Sequence, residues 1–161
     1  MLGASLPVSA ATGDTSATIT VTGGALEISV PATAGNLGTR ANTLTGGTIS
    51  GLLGQVQVTD ARSAAAGSGW VASVISTAFT PPSGLTIGAA NVSYTAGAIT
   101  KTGTATYTAN DPVGLTSASP AVTATGITGD NSATWNPTIH VAVAGGTIAN
   151  TYSAVITHSV V

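Results

Sequence analysis

Hydrophobic and polar positions alternate with a period of two along most of the chain, and helical periodicity is nearly absent. Ala17-Thr-Ile-Thr-Val-Thr22 alternates, Gly23-Gly24 follows, and Ala25-Leu-Glu-Ile-Ser-Val30 alternates again with Leu26, Ile28 and Val30 on one face. Strand, Gly-Gly, strand predicts a two-residue hairpin. Pro31 lacks an amide hydrogen and ends the ladder. Residues 32–47 are small and loop-like. Strands are expected over Gln55–Thr59, Trp70–Ile75, Asn91–Tyr94, Ala98–Thr100, Thr104–Thr108 and Ala121–Thr125. Asp60–Gly69 reads as a loop, and Phe79–Gly84, Asn110-Asp-Pro112 and Gly129-Asp-Asn131 read as turns. Pro137–Val143, Gly145-Gly146 and Thr151–Thr157 predict a second long hairpin-like unit.

Many short strands at this spacing imply an all-β fold, a two-sheet β-sandwich with Ig-like or jelly-roll connections. No linker divides the chain, so residues 15–161 form a single β-sandwich domain. Residues 1–14 stand apart. Val8-Ser9-Ala10 fits a small-x-small cleavage pattern, so this stretch is a signal-peptide remnant or an extended N-terminal arm held by a neighbouring subunit. Gly46-Gly-Thr-Ile49 recurs as Gly145-Gly-Thr-Ile148, which is shared turn chemistry rather than a repeat.

Composition then narrows the function. Only 5% of the 161 residues are charged, with three basic and five acidic side chains and a net charge of -2. There is no basic patch for nucleic acid and no polybasic segment for anionic lipid. No run of about 18 apolar residues occurs, so no membrane span is expected. Cysteine is absent, which removes disulfides, thiolate metal sites and cysteine nucleophiles. The only imidazoles are His140 and His158, and the carboxylates are Asp14, Glu27, Asp60, Asp111 and Asp130. No Gly-x-Ser-x-Gly elbow, calcium loop or His-pair metal motif places these in a catalytic pattern. A protein that is not an enzyme, with no metal and no cofactor, is expected. After Asp130 no charged side chain follows, although two long strand candidates lie there. Strands without charged gatekeepers are hidden in the fold or used in an assembly, so a homo-oligomer or polymer is expected.

Several segments, taken together, resemble a known family. They are Leu26-Glu-Ile-Ser-Val-Pro31, Gln55-Val-Gln-Val-Thr-Asp-Ala-Arg62, Gly69-Trp-Val-Ala-Ser-Val74 with Phe79-Thr80, Trp135-Asn-Pro-Thr-Ile139 and Tyr152-Ser-Ala-Val-Ile-Thr157. In this order they resemble the WxL-type surface domains of Gram-positive bacteria, in particular the actinobacterial branch, over about residues 15 to 160. Trp70 matches the motif tryptophan, with Asp60 and Arg62 upstream of it. Ala72 takes the third motif position in place of Leu, and the second tryptophan motif is missing, the stretch reading Ile156-Thr-His158. The resemblance implies a secreted β-rich domain, extracellular and attached non-covalently to the cell wall, with peptidoglycan or other cell-surface proteins as partners. The alternative is a self-assembling structural subunit of an extracellular filament, a surface layer or a virion surface, using its N-terminal arm to contact a neighbour.

Four residues are candidates for ligand binding. Trp70 and Trp135 are the two tryptophans, and each either stacks on a sugar face or fills the core. Asp60 and Arg62 are one residue apart. They share a strand face or form a local pair, which either pins the loop before Trp70 or leaves Arg62 to take a carboxylate of the wall.

Overall fold

The computed structural model describes residues 12–63 and 65–161. Nine strands follow in chain order: β1 (Leu26–Ser29), β2 (Gly47–Leu52), β3 (Val56–Asp60), β4 (Ser68–Ser76), β5 (Val92–Thr95), β6 (Thr100–Ala109), β7 (Ser119–Trp135), β8 (Thr138–Val143) and β9 (Ile156–Val160). They form two antiparallel sheets, one of six strands and one of three in the order β2-β8-β5. The fold is therefore an all-β sandwich, as the alternation predicts.

β7 organises the larger sheet. β6 runs along one of its edges. β3 and β4 lie end to end along the other, pairing with Asn131–Trp135 and Ser119–Ile127 respectively. β1 flanks β3, and β9 flanks β4. The loop after Asp60 is thus an insertion within what is otherwise one long strand beside β7.

Period-two alternation decides which side chains meet between the sheets. Val56 and Val58 of β3, Trp70, Ala72 and Val74 of β4, and Ala133 and Trp135 of β7 point inward from the larger sheet. Val92, Tyr94, Ile139 and Val141 point inward from the smaller one and close a single apolar core.

Three expectations are corrected. The Gly23-Gly24 hairpin does not form. A two-residue hairpin turn needs positive φ, and neither glycine has it. Both instead lie against Ala61 and Arg62: a Cβ on Gly23 would collide with the Arg62 carbonyl and one on Gly24 would crowd the Ala61 side chain, and β1 pairs with β3. Residues 17–22 join no strand. The second hairpin does not form either: β8 pairs with β2 and β5, and the chain crosses to the other sheet, where β9 starts at Ile156 and pairs with β4. Gly129-Asp-Asn131 is not a turn but part of β7. Gly126 and Gly129 have φ of 63° and 72°, and the ladders around them shift register, so these glycines make bulges inside a strand. The arm expected over residues 1–14 lies, up to residue 11, outside the described residues.

Candidate functional site

Asp60 ends β3 with its carboxylate turned inward, 1% exposed. Arg62 curls back from the loop and binds it with two side-chain bonds, Nε to Oδ1 at 2.9 Å and Nη2 to Oδ2 at 3.0 Å. The Arg62 backbone amide also donates to Oδ1, at 3.1 Å. On the far side Asn131 Nδ2 donates to Oδ2 at 3.2 Å. Asn131 Oδ1 in turn accepts from Trp70 Nε1 at 3.0 Å and Tyr107 OH at 3.2 Å. The rings of Trp70 and Tyr107 pack 5.7 Å apart. One polar cluster therefore ties β3, the loop, β4, β7 and β6 together.

The electrostatics follow from this geometry. Hydrogen bonds from Arg62 hold the Asp60 carboxyl below its usual range, against the opposing effect of burial, and the same pair keeps Arg62 charged. Burial, with the Asp60 charge behind it, raises the Tyr107 phenol. Both Asp60 oxygens are committed to internal donors. Arg62 Nη2 also donates to the Gly69 carbonyl at 3.2 Å. Asp130 accepts from both the amide and the hydroxyl of Ser63, which sits at a φ of 54°. The loop is pinned at its root and further along, so the cluster acts as a clamp on the inserted loop.

The four sequence candidates are divided by this arrangement. Asp60, Arg62 and Trp70 come together through Asn131, and Trp135 lies apart from them. Both indoles are 2% exposed, so neither presents a ring face to a ligand; of the two readings for each, the core is where the ring lies. Trp135 Nε1 donates to Tyr94 OH at 2.7 Å, and that hydroxyl lies 3.2 Å from His158 Nε2, a chain that bridges the two sheets. An indole N–H only donates, so the Tyr94 hydroxyl accepts there and keeps its own O–H free to donate to His158 Nε2. His158 Nδ1 is buried without a partner, and burial pushes the imidazole down to about 4. Burial likewise raises the Tyr94 phenol.

His140 sits on the outer face of the smaller sheet, between Ser50 Oγ, 2.7 Å from Nδ1, and Thr95 Oγ1, 3.2 Å from Nε2. A hydroxyl, not a carboxylate, stands behind the ring. Among the described residues no group of three His, Cys, Asp or Glu side chains is placed to hold a metal ion.

The outer face of the larger sheet carries hydroxyls in register. Thr100 faces Thr134, Thr102 faces Ser132, Thr104 faces Thr128, Thr106 faces Thr125 and Thr108 faces Thr123. Sequence reasoning did not single out this array, nor Asn131 and Tyr107. A signal for Asn131 existed: Asn131, Ala133 and Trp135 are in phase on one strand, which places the amide on the buried face. The expected turn at Gly129 hid that phase. Compared with protein-family models, with curated proteins and with solved structures, the chain matches none.

Proposed function

We propose that the chain is a non-enzymatic, extracellular structural module of the WxL kind, held non-covalently on a Gram-positive cell wall with peptidoglycan as its partner. The observation that supports this reading is the hydroxyl array on the outer face of the six-stranded sheet. It is exposed along β6, in register with β7, and flanked by Gln57, Thr59 and Glu27. A glycan offers many hydroxyl and amide groups at repeated spacing. Single hydrogen bonds to it compete with water and contribute little, but many in parallel add up. Binding through this face leaves the tryptophans to their core role.

The test is co-sedimentation of the purified protein with and without Gram-positive peptidoglycan. Pelleting only with the wall material is expected, and the variant carrying Thr102→Val, Thr104→Val and Thr106→Val should pellet several-fold less. Valine keeps the strand shape and removes the hydroxyls. Equal pelleting of the triple variant, or no pelleting with the wall, overturns the proposal. Trp70→Ala is the control that reports on folding rather than on binding.

A second reading is favoured by one feature. Residues 12–22 lie exposed, with Ile19 at 92% and Val21 at 81%, and among the described residues no other segment pairs with their backbone. An alternating, unpaired segment of this kind adds readily to the sheet edge of another chain. In that case the chain is a self-assembling subunit, and it pellets alone.

A further inference from the structure

Arg62 is paired with Asp60, and the Lys101 ammonium stands 5.9 Å from the centre of the Tyr107 ring. Arg40, the third cation of the chain, has no carboxylate within ion-pair distance among the described residues. It is half-buried on the segment that crosses the inner face of β2. Its Nη2 donates to the Gly46 carbonyl at 2.5 Å and to Thr43 Oγ1 at 3.3 Å. Nε and Nη1 have no protein acceptor among the described residues. The seat depends on Gly47, where a Cβ would overlap the guanidinium.

Arg40 lines a cavity of about 240 Å³ between this segment, the smaller sheet and the stretch 147–152. The apolar lining includes Ile49, Phe79, Ile87 and Val141, and no acidic side chain contributes to the wall. A guanidinium without a counter-ion, with unused N–H donors beside an apolar floor, selects a carboxylate carrying a short apolar body. The cavity is smaller than the usual ligand site, which runs from roughly 300 Å³ upward, so its occupant is small.

The geometry points to a binding site for a small carboxylate here: either the C-terminal end of a peptide with small apolar residues, or a free short-chain acid of the same shape. The carboxylate takes the unused donors of Arg40, and the apolar part lies on Phe79 and Val141. This inference is independent of the wall-binding reading, because the cavity and the hydroxyl array are different surfaces.

The experiment is a titration of the full chain followed by backbone amide chemical shifts. The probes are N-acetyl-alanyl-alanine, its C-terminal carboxamide, and butyrate. The carboxylate dipeptide should shift the amides of Arg40, Gly46 and Val143 and their neighbours, and the carboxamide should bind at least tenfold more weakly. Arg40→Gln should lose the same tenfold while its spectrum elsewhere is unchanged. Butyrate binding as tightly as the dipeptide assigns the site to free acids, and weaker binding assigns it to chain ends. Equal binding of the carboxamide, shifts confined to other regions, or no shifts at all overturns the site. The carboxamide comparison uses the unaltered protein, so it stands even if Arg40→Gln does not fold.

Discussion

Asp60 is tightly constrained, because its charge is buried and its hydrogen bonds run to Arg62 and Asn131 inside the fold. Removing its counter-ion is more damaging than removing a surface charge, since the carboxylate cannot return to water without opening the sheet. Arg62→Met is expected to cost about 1–2 kcal/mol, less than the scale for a pair buried on both sides, because the Arg62 side chain is 37% exposed and water screens part of the interaction. Adding Asp60→Asn should recover part of that loss, because the buried charge goes with it. Urea unfolding of the two variants decides the point, and a double variant no more stable than the single would mean that Asp60 is not charged in the fold. His158 makes a separate prediction with a pH axis. Its ordinary value of 6.5 is pushed down to about 4 by burial. Between those values the unfolded chain binds a proton that the native chain does not, so stability is complete above pH 6.5 and falls as pH drops toward 4. His158→Gln keeps an acceptor for Tyr94 and has nothing to titrate. The urea midpoint of the wild type should therefore decline from pH 7 to pH 5 while that of the variant stays flatter. Parallel profiles would exclude His158 as the titrating group.

At the level of elements, what was legible in the sequence depended on whether a local rule or a distant contact decided the outcome. β3, β4, β5 and β8 follow from alternation, since each has a buried and an open face. β2 was hidden because Gly47 and Gly51 break the pattern in a strand that has little side-chain surface to pack. The Asp60–Arg62 pair is read directly from residues two apart, whereas Asn131 comes from a strand 71 residues away from Asp60. The glycines are the main source of error, because one residue type serves turns, bulges and close approaches alike. Two of them separate these uses. Gly126 has φ of 63° and open space where a Cβ would go, so Gly126→Ala should cost only the left-handed penalty of about 1 kcal/mol. Gly103 has φ of 86°, and a Cβ there would meet the Asp130 carbonyl and Asn131. Gly103→Ala should therefore cost clearly more, because it adds a collision to the same strain. Equal midpoints for the two variants in denaturant would mean that β6 moves away from β7 without cost at this point.

The whole molecule carries so little charge that its association is governed by hydroxyls and by which sheet edges remain open. β6 is the longest of the open edges, with β7 as its one strand partner among the described residues. Its sequence, Thr100-Lys-Thr-Gly-Thr-Ala-Thr-Tyr-Thr-Ala109, contains the only lysine of the chain. A lysine on an edge strand opposes pairing with a second copy, since the ammonium must either lose its water or meet its own image. Lys101 is the one charged side chain of β6 and therefore puts its charge on this open edge. Lys101→Thr removes that charge and keeps a β-branched strand former, leaving an edge of ten residues with unpaired backbone groups and no charge. Its cost to folding should be small, because Lys101 is exposed and its contact with the Tyr107 ring is at the distance limit for a cation–π interaction. The variant is expected to form dimers and larger species at concentrations where the wild type sediments as a smaller one. A variant that also loses residues 12–22 separates the two routes to assembly: association that persists runs edge to edge through β6, and association that disappears requires the exposed segment as donor. If Lys101→Thr sediments like the wild type across the concentration range, β6 is not an associating edge, and the lysine serves only its local contact with Tyr107.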